Sequence, residues 1–592
     1  MNPQVDRAEH TKLRAIWRLI KPYWTSEEKW TAWGLLAIII GLALGMVYIN
    51  VEINQWNRDI YDALQNHDFV SFKTLLWRFS YLAVIFICIY ISRVYLVQAL
   101  QIRWRAWMSG RYMEKWLAHR AYYRIEDQHS ADNPDQRIAE DLRSLTSDTI
   151  SLVLGFISST VTLVSFVGIL WAISGPLAFA LGGRDWVLPG YMVWFALGYA
   201  FIGSWLIWWI GRPLVRQGVT QERFEANFRF GLIRVREHAE AIAFYRGESQ
   251  EQAELGKRFE DIRKNWWTIM RTTKWLNIAS SFYGQFANIF PMLVSAPRYF
   301  SSAITLGALM QISSAFGQVQ DALSWFINAF STLASWKASI NRLAGFNQAV
   351  ELAEQLAQQP TIHVERNNVG AILIDGLSLS LPPAADGSDA LLIADITAQI
   401  HGGQKILVSG PSGCGKSTLF RALAGIWAYG AGDVQIPVQA KLLFLPQRSY
   451  LPIGSLRTAI SYPAASGTYT DLAIRHYLDL CGLPELQEQL DASRDWSRVL
   501  SPGEQQKLAF ARIFLTRPDY LFLDEASSAM DGETEEAVYR LLQQELPDTA
   551  VISIAHRETL ARFHQTRWHF TATAGGVQKT ASAKCRLVVS TL

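Results

Sequence analysis

The sequence predicts a multi-domain protein, with an α-helical membrane part followed by a soluble α/β part. Half of the 592 residues are hydrophobic and 18% are charged, against about 25% charged in an average soluble domain. Six apolar runs long enough to cross a bilayer lie before residue 337, and no comparable run follows. Beyond residue 368, apolar strand-like runs alternate with helical stretches, which is typical of a mainly parallel sheet.

The first 30 residues are charged and amphipathic, and we expect an interfacial helix with Ile16, Ile20 and Trp24 on one face. The membrane domain is predicted to occupy residues 31–343. A bilayer core requires about 20 apolar residues per helix. The six predicted spans are 33–53, 75–100, 151–173, 191–211, 275–300 and 304–336.

The distribution of cations predicts the orientation in the membrane. Segment 101–150 carries eight Lys and Arg and segment 212–274 carries more, whereas segment 174–190 has only Arg184. Cytoplasmic loops are enriched in Lys and Arg, so both long segments and both termini are expected in the cytoplasm. The net charge, 55 − 52 = +3, gives no reason to expect nucleic-acid binding.

A polar, Gln-rich linker is predicted at residues 344–368, followed by the soluble domain at 369–570 and a tail at 571–592 without a functional interpretation. The strand-like runs begin with the sequence AILI and end with VISIA. They lie at 371–374, 405–410, 442–446, 520–524 and 551–555.

The sequence GPSGCGKS directly follows the second of these strands and fits the phosphate-loop pattern GxxxxGK[ST]. Glycines allow backbone N–H groups to turn towards phosphate oxygens, and the next helix adds its positive N-terminal end. Lys416 is placed to reach the β- and γ-phosphates, and Ser417 to ligate Mg²⁺. ATP and Mg²⁺ are therefore expected. The predicted binding residues are Gly410, Pro411, Ser412, Gly413, Cys414, Gly415, Lys416, Ser417 and Thr418.

Two carboxylates end a later strand, YLFLDE. Asp524 is placed to hold Mg²⁺, and Glu525 to orient and polarise an attacking water. Gln447 and His556 also follow strands, where their side chains can reach the γ-phosphate and the metal. This set predicts a nucleotide hydrolase.

Ser501 and Gly503 precede the helical sequence KLAFARIFL and form a second predicted anion site. One chain has no use for two distant γ-phosphate sites. Two chains face to face do, because one supplies the phosphate loop and the other caps the nucleotide. The sequence therefore predicts a homodimer.

The motif order GPSGCGKST, Gln447, LSPGEQQ, FLDE, Asp531 and His556 resembles the ATP-binding domain of ABC transporters. The resemblance implies that Ser501, Gly503 and Glu504 form the signature, that Asp531 forms the D-loop, and that Gln447 joins Ser417 and Asp524 at the metal. The aromatic residue that stacks on adenine in that family is absent, with Leu381 or Pro382 near its place.

The segments 53–68, 102–108, 131–141 and 240–248 resemble the SbmA/BacA-like permeases fused to an ATPase, and the last two also resemble peroxisomal fatty acyl-CoA transporters. The resemblance implies a homodimeric half-transporter of exporter-like (type IV) fold in the bacterial inner membrane. It also implies that Glu240, Ala241 and Gly247 couple the membrane helices to the ATPase. In the segment 131–141, Pro134 forces a turn, and Asp135 and Arg137 are placed to pair locally.

The expected function is ATP-driven uptake of a hydrophilic or amphipathic solute such as a peptide or cobalamin, with membrane lipid as the surrounding partner. Two alternatives stay open. The protein is an ABC exporter or a lipid or acyl-CoA transporter, or it is a membrane ATPase that senses or regulates without moving solute.

Polar residues recur at helical spacing in the last predicted span, at Gln311, Ser314, Gln318, Asp321 and Asn328. An ionised Asp in mid-membrane costs about 2.5–3.5 kcal/mol on insertion scales, so this face must meet a helix or water. We predict that it lines a solute cavity. The alternative is polar contact between packed helices.

Overall fold

The computed structural model describes residues 16–127, 133–181, 184–358, 360–382, 391–555, 557–572 and 585–592. Within these ranges the chain divides into two compact units. The first contains residues 16–115 and 133–348. The second contains residues 116–127 and the described residues from 349 onwards.

Long helices dominate the membrane half. In chain order the helices are α1 (16–24), α2 (Lys29–Gln65), α3 (Phe69–Leu117), α4 (Ala121–Asp127), α5 (Pro134–Gln136), α6 (Leu142–Ser174), α7 (Tyr191–Glu237), α8 (Ala239–Tyr245), α9 (Glu248–Phe300) and α10 (Leu306–Gln358). A 3₁₀ turn lies at Ala118–Arg120 and a π-helical turn at Arg137–Asp141. Strands β1 (Pro176–Leu181) and β2 (Arg184–Pro189) form a hairpin between α6 and α7.

The six predicted spans lie in α2, α3, α6, α7, α9 and α10, although residues 304–305 precede the last of these. In the described residues, four helical stretches are long and apolar enough to cross a membrane: Lys29–Gln65, Phe69–Glu126, Pro134–Ser174 and Tyr191–Glu237. The helices α9 and α10 fall outside that set, in keeping with the charged and amide side chains in their apolar runs.

Small residues and caps fix how these helices pack. At Gly203 of α7, an added Cβ would lie 1.9 Å from Cε2 of Tyr283 on α9, so only glycine allows this approach. The N-terminus of α10 is capped by α2, because Asp62 accepts a hydrogen bond from the Gly307 N–H (2.9 Å) and Gln65 from the Leu306 N–H (2.9 Å). These bonds satisfy backbone donors that a helix start leaves without intrahelical partners.

The segment predicted as a linker, 344–368, contains regular secondary structure, and the boundary between the two units lies within it, between residues 348 and 349. Helix α10 continues to Gln358, with Phe346 and Val350 buried, and strand β3 (Ile362–Asn367) joins the sheet of the second unit. The Gln-rich composition favours helix, because Gln, Ala, Glu and Leu are strong helix formers.

The second unit is built on a ten-stranded sheet. Its strands are β3 (Ile362–Asn367), β4 (Ala371–Ser380), β5 (Leu391–His401), β6 (Lys405–Ser409), β7 (Gly430–Pro437), β8 (Leu442–Leu445), β11 (Tyr520–Asp524), β12 (Ala550–Ile554), β13 (Thr566–Ala572) and β14 (Cys585–Thr591). Two short strands, β9 (Gly454–Ser455) and β10 (Ser493–Arg494), pair separately. The helices are α11 (Lys416–Leu423), α12 (Leu456–Ser461), α13 (Asp471–Leu480), α14 (Trp496–Val499), α15 (Pro502–Thr516) and α16 (Gly532–Glu545), with 3₁₀ turns at Pro484–Gln489 and Glu558–Phe563.

The strand order is β3-β7-β4-β5-β14-β13-β6-β12-β11-β8. All five strand-like runs that the sequence marked are strands, and β6, β12, β11 and β8 are parallel as predicted. The remaining one, β4, is antiparallel to β5 and β7. Apolar cores cover the sheet, one including Phe510 and Phe514 of α15 and another including Phe420 of α11 and Phe522 of β11.

The sequence predicts a domain at 369–570 and a separate tail at 571–592, whereas in the structure the sheet includes residues 585–591. Strand β14 pairs antiparallel with β13, and the sheet places it between β13 and β5. Cys585 is buried there, and Leu587, Val588 and Val589 supply the apolar and β-branched residues that strands favour.

Candidate active site

The phosphate loop turns between the end of β6 and the start of α11. Gly410, Gly413 and Gly415 have φ of 142°, 77° and 93°, conformations that residues with a side chain rarely adopt. At Gly415, an added Cβ would lie 3.0 Å from Cδ1 of Ile393, so the close approach of the loop to β5 also requires glycine. The sequence pattern therefore folds into the expected turn ahead of a helix N-terminus.

The remaining residues of the loop differ in exposure. Pro411 and Ser412 are exposed, Cys414 is buried in the apolar core, and Thr418 is half-buried in α11. Lys416 is buried, and its Nζ donates hydrogen bonds to the carbonyl oxygens of Gly410 (2.8 Å) and Pro411 (3.0 Å). The positive charge of Lys416 therefore lies beside the backbone at the start of the phosphate loop.

Ser417 and Asp524 meet across the junction between the phosphate loop and β11. The Ser417 hydroxyl donates a hydrogen bond to Oδ1 of Asp524 at 3.0 Å. Burial raises the pKa of Asp524, and the neighbouring Glu525 charge acts in the same direction. A cation at this position would favour the ionised form of Asp524 by compensating both effects.

Glu525 and Gln447 also come together. Glu525 has φ of 50°, which is uncommon for a residue with a side chain and costs conformational energy. Its backbone N–H donates to the carbonyl of Ile554 on β12 (3.1 Å), and its Oε2 accepts a hydrogen bond from Nε2 of Gln447 (2.8 Å). The structure therefore joins two predicted catalytic side chains from different strands.

The predicted second anion site is the N-terminus of α15. Ser501 is the N-cap of this helix in a capping box with Glu504: the Glu504 N–H donates to the Ser501 hydroxyl, and the Glu504 carboxylate accepts from the Ser501 N–H (2.8 Å) and hydroxyl (2.7 Å). These bonds, the hydroxyl first, lower the pKa of Glu504. Ser501 is exposed and Glu504 is half-buried, so the serine side of this helix start is open to a second chain.

The start of α15 is fastened to the segment that leads to Asp531. At Gly503, an added Cβ would lie 3.2 Å from the Ala529 carbonyl oxygen, and Oε1 of Gln506 accepts a hydrogen bond from the Ala529 N–H at 2.9 Å. Asp531 caps α16 by accepting from the N–H (2.8 Å) and the hydroxyl (2.7 Å) of Thr534. The signature and D-loop residues therefore belong to one connected surface.

His556 lies outside the described residues, but its neighbour Arg557 belongs to a network that sequence reasoning missed. Arg557 donates to the buried Glu535 carboxylate (3.1 Å) and to the Met530 carbonyl (3.1 Å), and Ser527 donates to Glu535 (2.6 Å). Glu525, Ser527, Glu535 and Arg557 border one small cavity of about 90 Å³. The sequence signal for this network was an arginine directly after the predicted His556, together with an acidic residue in the helix that follows Asp531.

The place expected to hold an adenine-stacking aromatic lies at the end of β4. Leu381 packs against the core that contains Phe420, and Pro382 is half-buried. Trp427 contacts this strand end, because its indole N–H donates to the Ser380 carbonyl at 3.1 Å. In the folded chain, positions 381 and 382 therefore hold a leucine and a proline, and neither supplies an aromatic ring for stacking on adenine.

The predicted coupling residues lie at the turn between α7 and α9. Glu240 and Ala241 are exposed on the short helix α8, and Gly247 precedes α9. On the same helix, Phe244 and Tyr245 are 78% and 87% exposed. Two large exposed aromatic side chains outside the membrane spans are typical of a surface that contacts another protein surface.

The segment 116–127 belongs to the second unit, which the sequence did not indicate. Arg120, which follows α3, donates a hydrogen bond to the Ala424 carbonyl at the end of α11 (2.7 Å).

The predicted local pair of Asp135 and Arg137 is replaced by another, since Arg137 pairs with Asp141 at 3.0 Å. Asp141 is buried and also pairs with Arg342 of α10 (2.5 Å).

The polar positions of α10 do not share one environment. Gln311 is 3% exposed, and its backbone carbonyl accepts a hydrogen bond from Asn54 of α2 at 3.2 Å. The burial of this side chain favours the alternative of polar contact between packed helices at this position. Ser314 and Gln318 are half-buried and Asp321 is exposed. The Asn328 side chain lies outside the described residues.

Comparisons with known proteins agree with this geometry. Residues 19–300 match the family model described as ABC transporter transmembrane region 2, and residues 393–528 match the family model described as ABC transporter. A bacterial Atm1-family ABC exporter with ATP bound, a solved structure, has a TM-score of 0.68, with 15% identity over 92% of this chain and 94% of that one. The predicted exporter-like, type IV fold is confirmed.

Three relatives match along most of their length. An uncharacterized ABC transporter ATP-binding protein of Synechocystis is 36% identical over 91% of this chain and 80% of that protein. The inner membrane ABC transporter ATP-binding protein YddA of Escherichia coli is 33% identical over 91% and 94%. The human lysosomal cobalamin transporter ABCD4 is 28% identical over 95% of each chain.

Proposed function

This chain belongs to the ABC transporter family, as a half-transporter that couples ATP hydrolysis to transport, and on that premise we propose that two copies import a hydrophilic or amphipathic solute across the bacterial inner membrane. A peptide or cobalamin is the proposed cargo. Similarity to a lysosomal cobalamin transporter along 95% of both chains supports the choice of cobalamin. The similarity to YddA supports the inner membrane.

The observation that carries the proposal is the pairing of motif residues across strands. Ser417 bonds to Asp524 at 3.0 Å, and Gln447 bonds to Glu525 at 2.8 Å. These contacts support a metal-ligand pair, Ser417 with Asp524, and a water-orienting pair, Gln447 with Glu525, beside the phosphate loop. Transport by the membrane helices then follows ATP binding and hydrolysis.

Mg²⁺ fits the oxygens at this point. The Ser417 hydroxyl, the Asp524 carboxylate and the Gln447 side-chain oxygen are hard ligands of the kind that Mg²⁺ prefers, and ATP phosphates complete such sites. In the part of the chain that the structure describes, no group of three or more His, Cys, Asp or Glu side chains forms a metal cluster. When bound, the ion neutralises charge on the phosphates.

The chain's own residues supply the remaining chemistry. Lys416 binds the β- and γ-phosphates, and the N–H groups of the loop surround their oxygens. Glu525 accepts a hydrogen bond from the attacking water and polarises it, while Gln447 holds the Glu525 carboxylate in place. His556 follows β12 and is assigned to the γ-phosphate.

The second chain completes each site. The N-terminus of α15, with the Ser501 hydroxyl, the Gly503 N–H and Glu504, faces the γ-phosphate bound by the partner's phosphate loop. Asp531 lies in the same surface because the start of α15 is fastened at Ala529. Two identical sites therefore form in a symmetric dimer.

The coupling surface consists of Glu240, Ala241 and Gly247, with the exposed aromatics Phe244 and Tyr245 beside them. Both long cationic segments and both termini are assigned to the cytoplasm by the distribution of Lys and Arg. The solute pathway includes Ser314, Gln318, Asp321 and Asn328 of α10, from two copies around a shared axis.

Flux in proteoliposomes tests direction and cargo together. ATP is added outside, so only molecules with outward ATP-binding domains act, and the exterior then corresponds to the cytoplasm. Import predicts that labelled cobalamin or peptide preloaded in the lumen leaves when ATP is added, and that Glu525→Gln abolishes this loss.

Accumulation of labelled solute or acyl-CoA in the lumen would instead identify an exporter or lipid transporter. Solute-stimulated ATP hydrolysis without movement in either direction would identify a sensor. Either result contradicts the proposed import.

A further inference from the structure

A groove between α7, α9 and α10 combines an apolar lining with two cations. Its volume is about 830 Å³. Trp208, Leu214 and Val215 of α7 line it, together with Leu276 of α9 and Phe330 of α10. Arg212 and Arg216 lie at the same place, one helical turn apart.

The position of the groove along the helices corresponds to a membrane boundary. Arg212 follows the start of α7 at Tyr191 by 21 residues, and Leu276 and Phe330 are each 24 residues from the ends of their helices at Phe300 and Leu306. At 1.5 Å per residue these are about 32 and 36 Å. A hydrocarbon core is about 30 Å thick, so all three positions lie at the level of one headgroup layer.

Neither arginine has an acidic partner in the part of the chain that the structure describes. The Arg212 guanidinium lies over the Trp208 ring, 5.7 Å from its centroid. Within the described ranges, no Asp or Glu forms an ion pair with Arg212 or Arg216. Pro213 lies between them and cannot donate the backbone hydrogen bond that would continue the helix, which favours a bend beside the groove.

We propose that this groove binds an anionic phospholipid of the cytoplasmic leaflet. The phosphate group contacts Arg212 and Arg216, and an acyl chain lies against Trp208, Leu276 and Phe330. The cytoplasmic leaflet is anionic, and each basic residue near such a surface strengthens attraction about fivefold. The positive charge of the groove, its depth in the bilayer and its apolar lining therefore all favour an anionic phospholipid as the occupant.

The bound lipid acts at the place where α7 leaves the membrane for the cytoplasm. Because it contacts α7, α9 and α10 together, it favours the conformation in which these helices keep their present spacing, and it stabilises that state by its differential affinity. This role concerns regulation by the membrane and is independent of which solute is carried.

Lipid titration of the full-length protein tests the proposal directly. Native mass spectrometry compares phosphatidylglycerol and phosphatidylcholine with identical acyl chains. We expect tighter binding of phosphatidylglycerol, by about fivefold or more. The double variant Arg212→Gln with Arg216→Gln removes that preference, and Arg212→Lys with Arg216→Lys retains it.

Two further variants separate the groove from general electrostatics. Arg229→Gln changes an exposed arginine on the same helix, beyond the membrane boundary, and leaves the preference unchanged. Val215→Trp fills the groove, keeps both cations and lowers binding of both lipids. Equal affinity for the two lipids in the unmodified protein, or displacement of phosphatidylglycerol by the transported solute, would overturn the lipid assignment.

Discussion

The nucleotide site and the polar face of α10 differ in how their polar groups are satisfied. In the nucleotide site, Ser417 pairs with Asp524 and Gln447 with Glu525 through bonds of 3.0 and 2.8 Å. On α10, Gln311 is buried with a side-chain oxygen that finds no donor in the described residues, whereas Asp321 is exposed.

The difference teaches what each kind of sequence signal contains. A phosphate-loop motif specifies backbone conformation and strand position, and so it places individual atoms. A 3.6-residue period specifies only which side chains share a face. The neighbours of that face depend on helix packing, and Gln311 near the start of α10 is buried.

The largest expected effect is at Glu525. Glu525→Gln keeps the size and the contact with Gln447 but removes the charge that polarises water, so ATP hydrolysis falls by about 10²–10⁴-fold while ATP binding persists. Phosphate release and nucleotide binding measure the two separately. Glu485→Gln, an exposed acid in a 3₁₀ turn, serves as the control. Hydrolysis near the original rate would show that the paired carboxylate is not the catalytic one.

A test in cis and in trans examines whether two chains share each site. Lys416→Ala and Ser501→Ala on one chain, paired with an unmodified chain, damage both shared sites. The same changes on opposite chains damage one site twice and leave the other intact, so more activity remains. Loss of the Ser501 bond to phosphate costs about 1.5–3 kcal/mol per site. The reverse order of activities in tagged mixed dimers would place both motifs of a site on one chain.

Packing in the membrane half is tested at Gly203. Gly203→Ala places a Cβ 1.9 Å from Tyr283, so overpacking should lower the free energy of unfolding by about 1–3 kcal/mol. Gly198→Ala is matched, because it lies on the same helix with no atom within 4 Å of the added Cβ. Denaturant unfolding followed by Trp fluorescence compares them, and equal stability would mean that α7 and α9 separate freely at this point.

The smallest effect concerns the depth of the polar face on α10. Asp321→Cys should react with a water-soluble thiol reagent faster than Gln311→Cys, because Asp321 is exposed whereas Gln311 is 3% exposed. Leu323→Cys, which packs against the apolar core of the membrane half, provides the slow reference. The labelling is performed in a variant that lacks the exposed Cys88. Equal rates at 311 and 321 would restore a uniform cavity wall along this helix.

Sequence alone located the strands and motif residues of the nucleotide site because glycines with positive φ and buried β-strands leave few alternatives. It missed the contact of Arg120 with Ala424, since the two residues are separated by 304 positions. It also assigned β14 to a tail, because that strand is stabilised by its pairing with β13 rather than by a local motif. The end of α10 is polar and Gln-rich, so composition predicts a linker there, although the same residues are strong helix formers.

The attachment of Gly503 and Gln506 to Ala529 has a mechanical consequence. A tilt of α15 displaces the Ala529 backbone with it, because a Cβ at Gly503 would lie only 3.2 Å from the Ala529 carbonyl oxygen and Gln506 accepts a hydrogen bond of 2.9 Å from the Ala529 N–H. Met530 follows directly, and its carbonyl is tied to Arg557, which in turn bonds Glu535 in the helix capped by Asp531. A displacement of the start of α15 is therefore transmitted through Ala529 and Met530 to Arg557 and Glu535, which border the cavity beside Glu525. The start of α15 and the wall of this cavity cannot move independently.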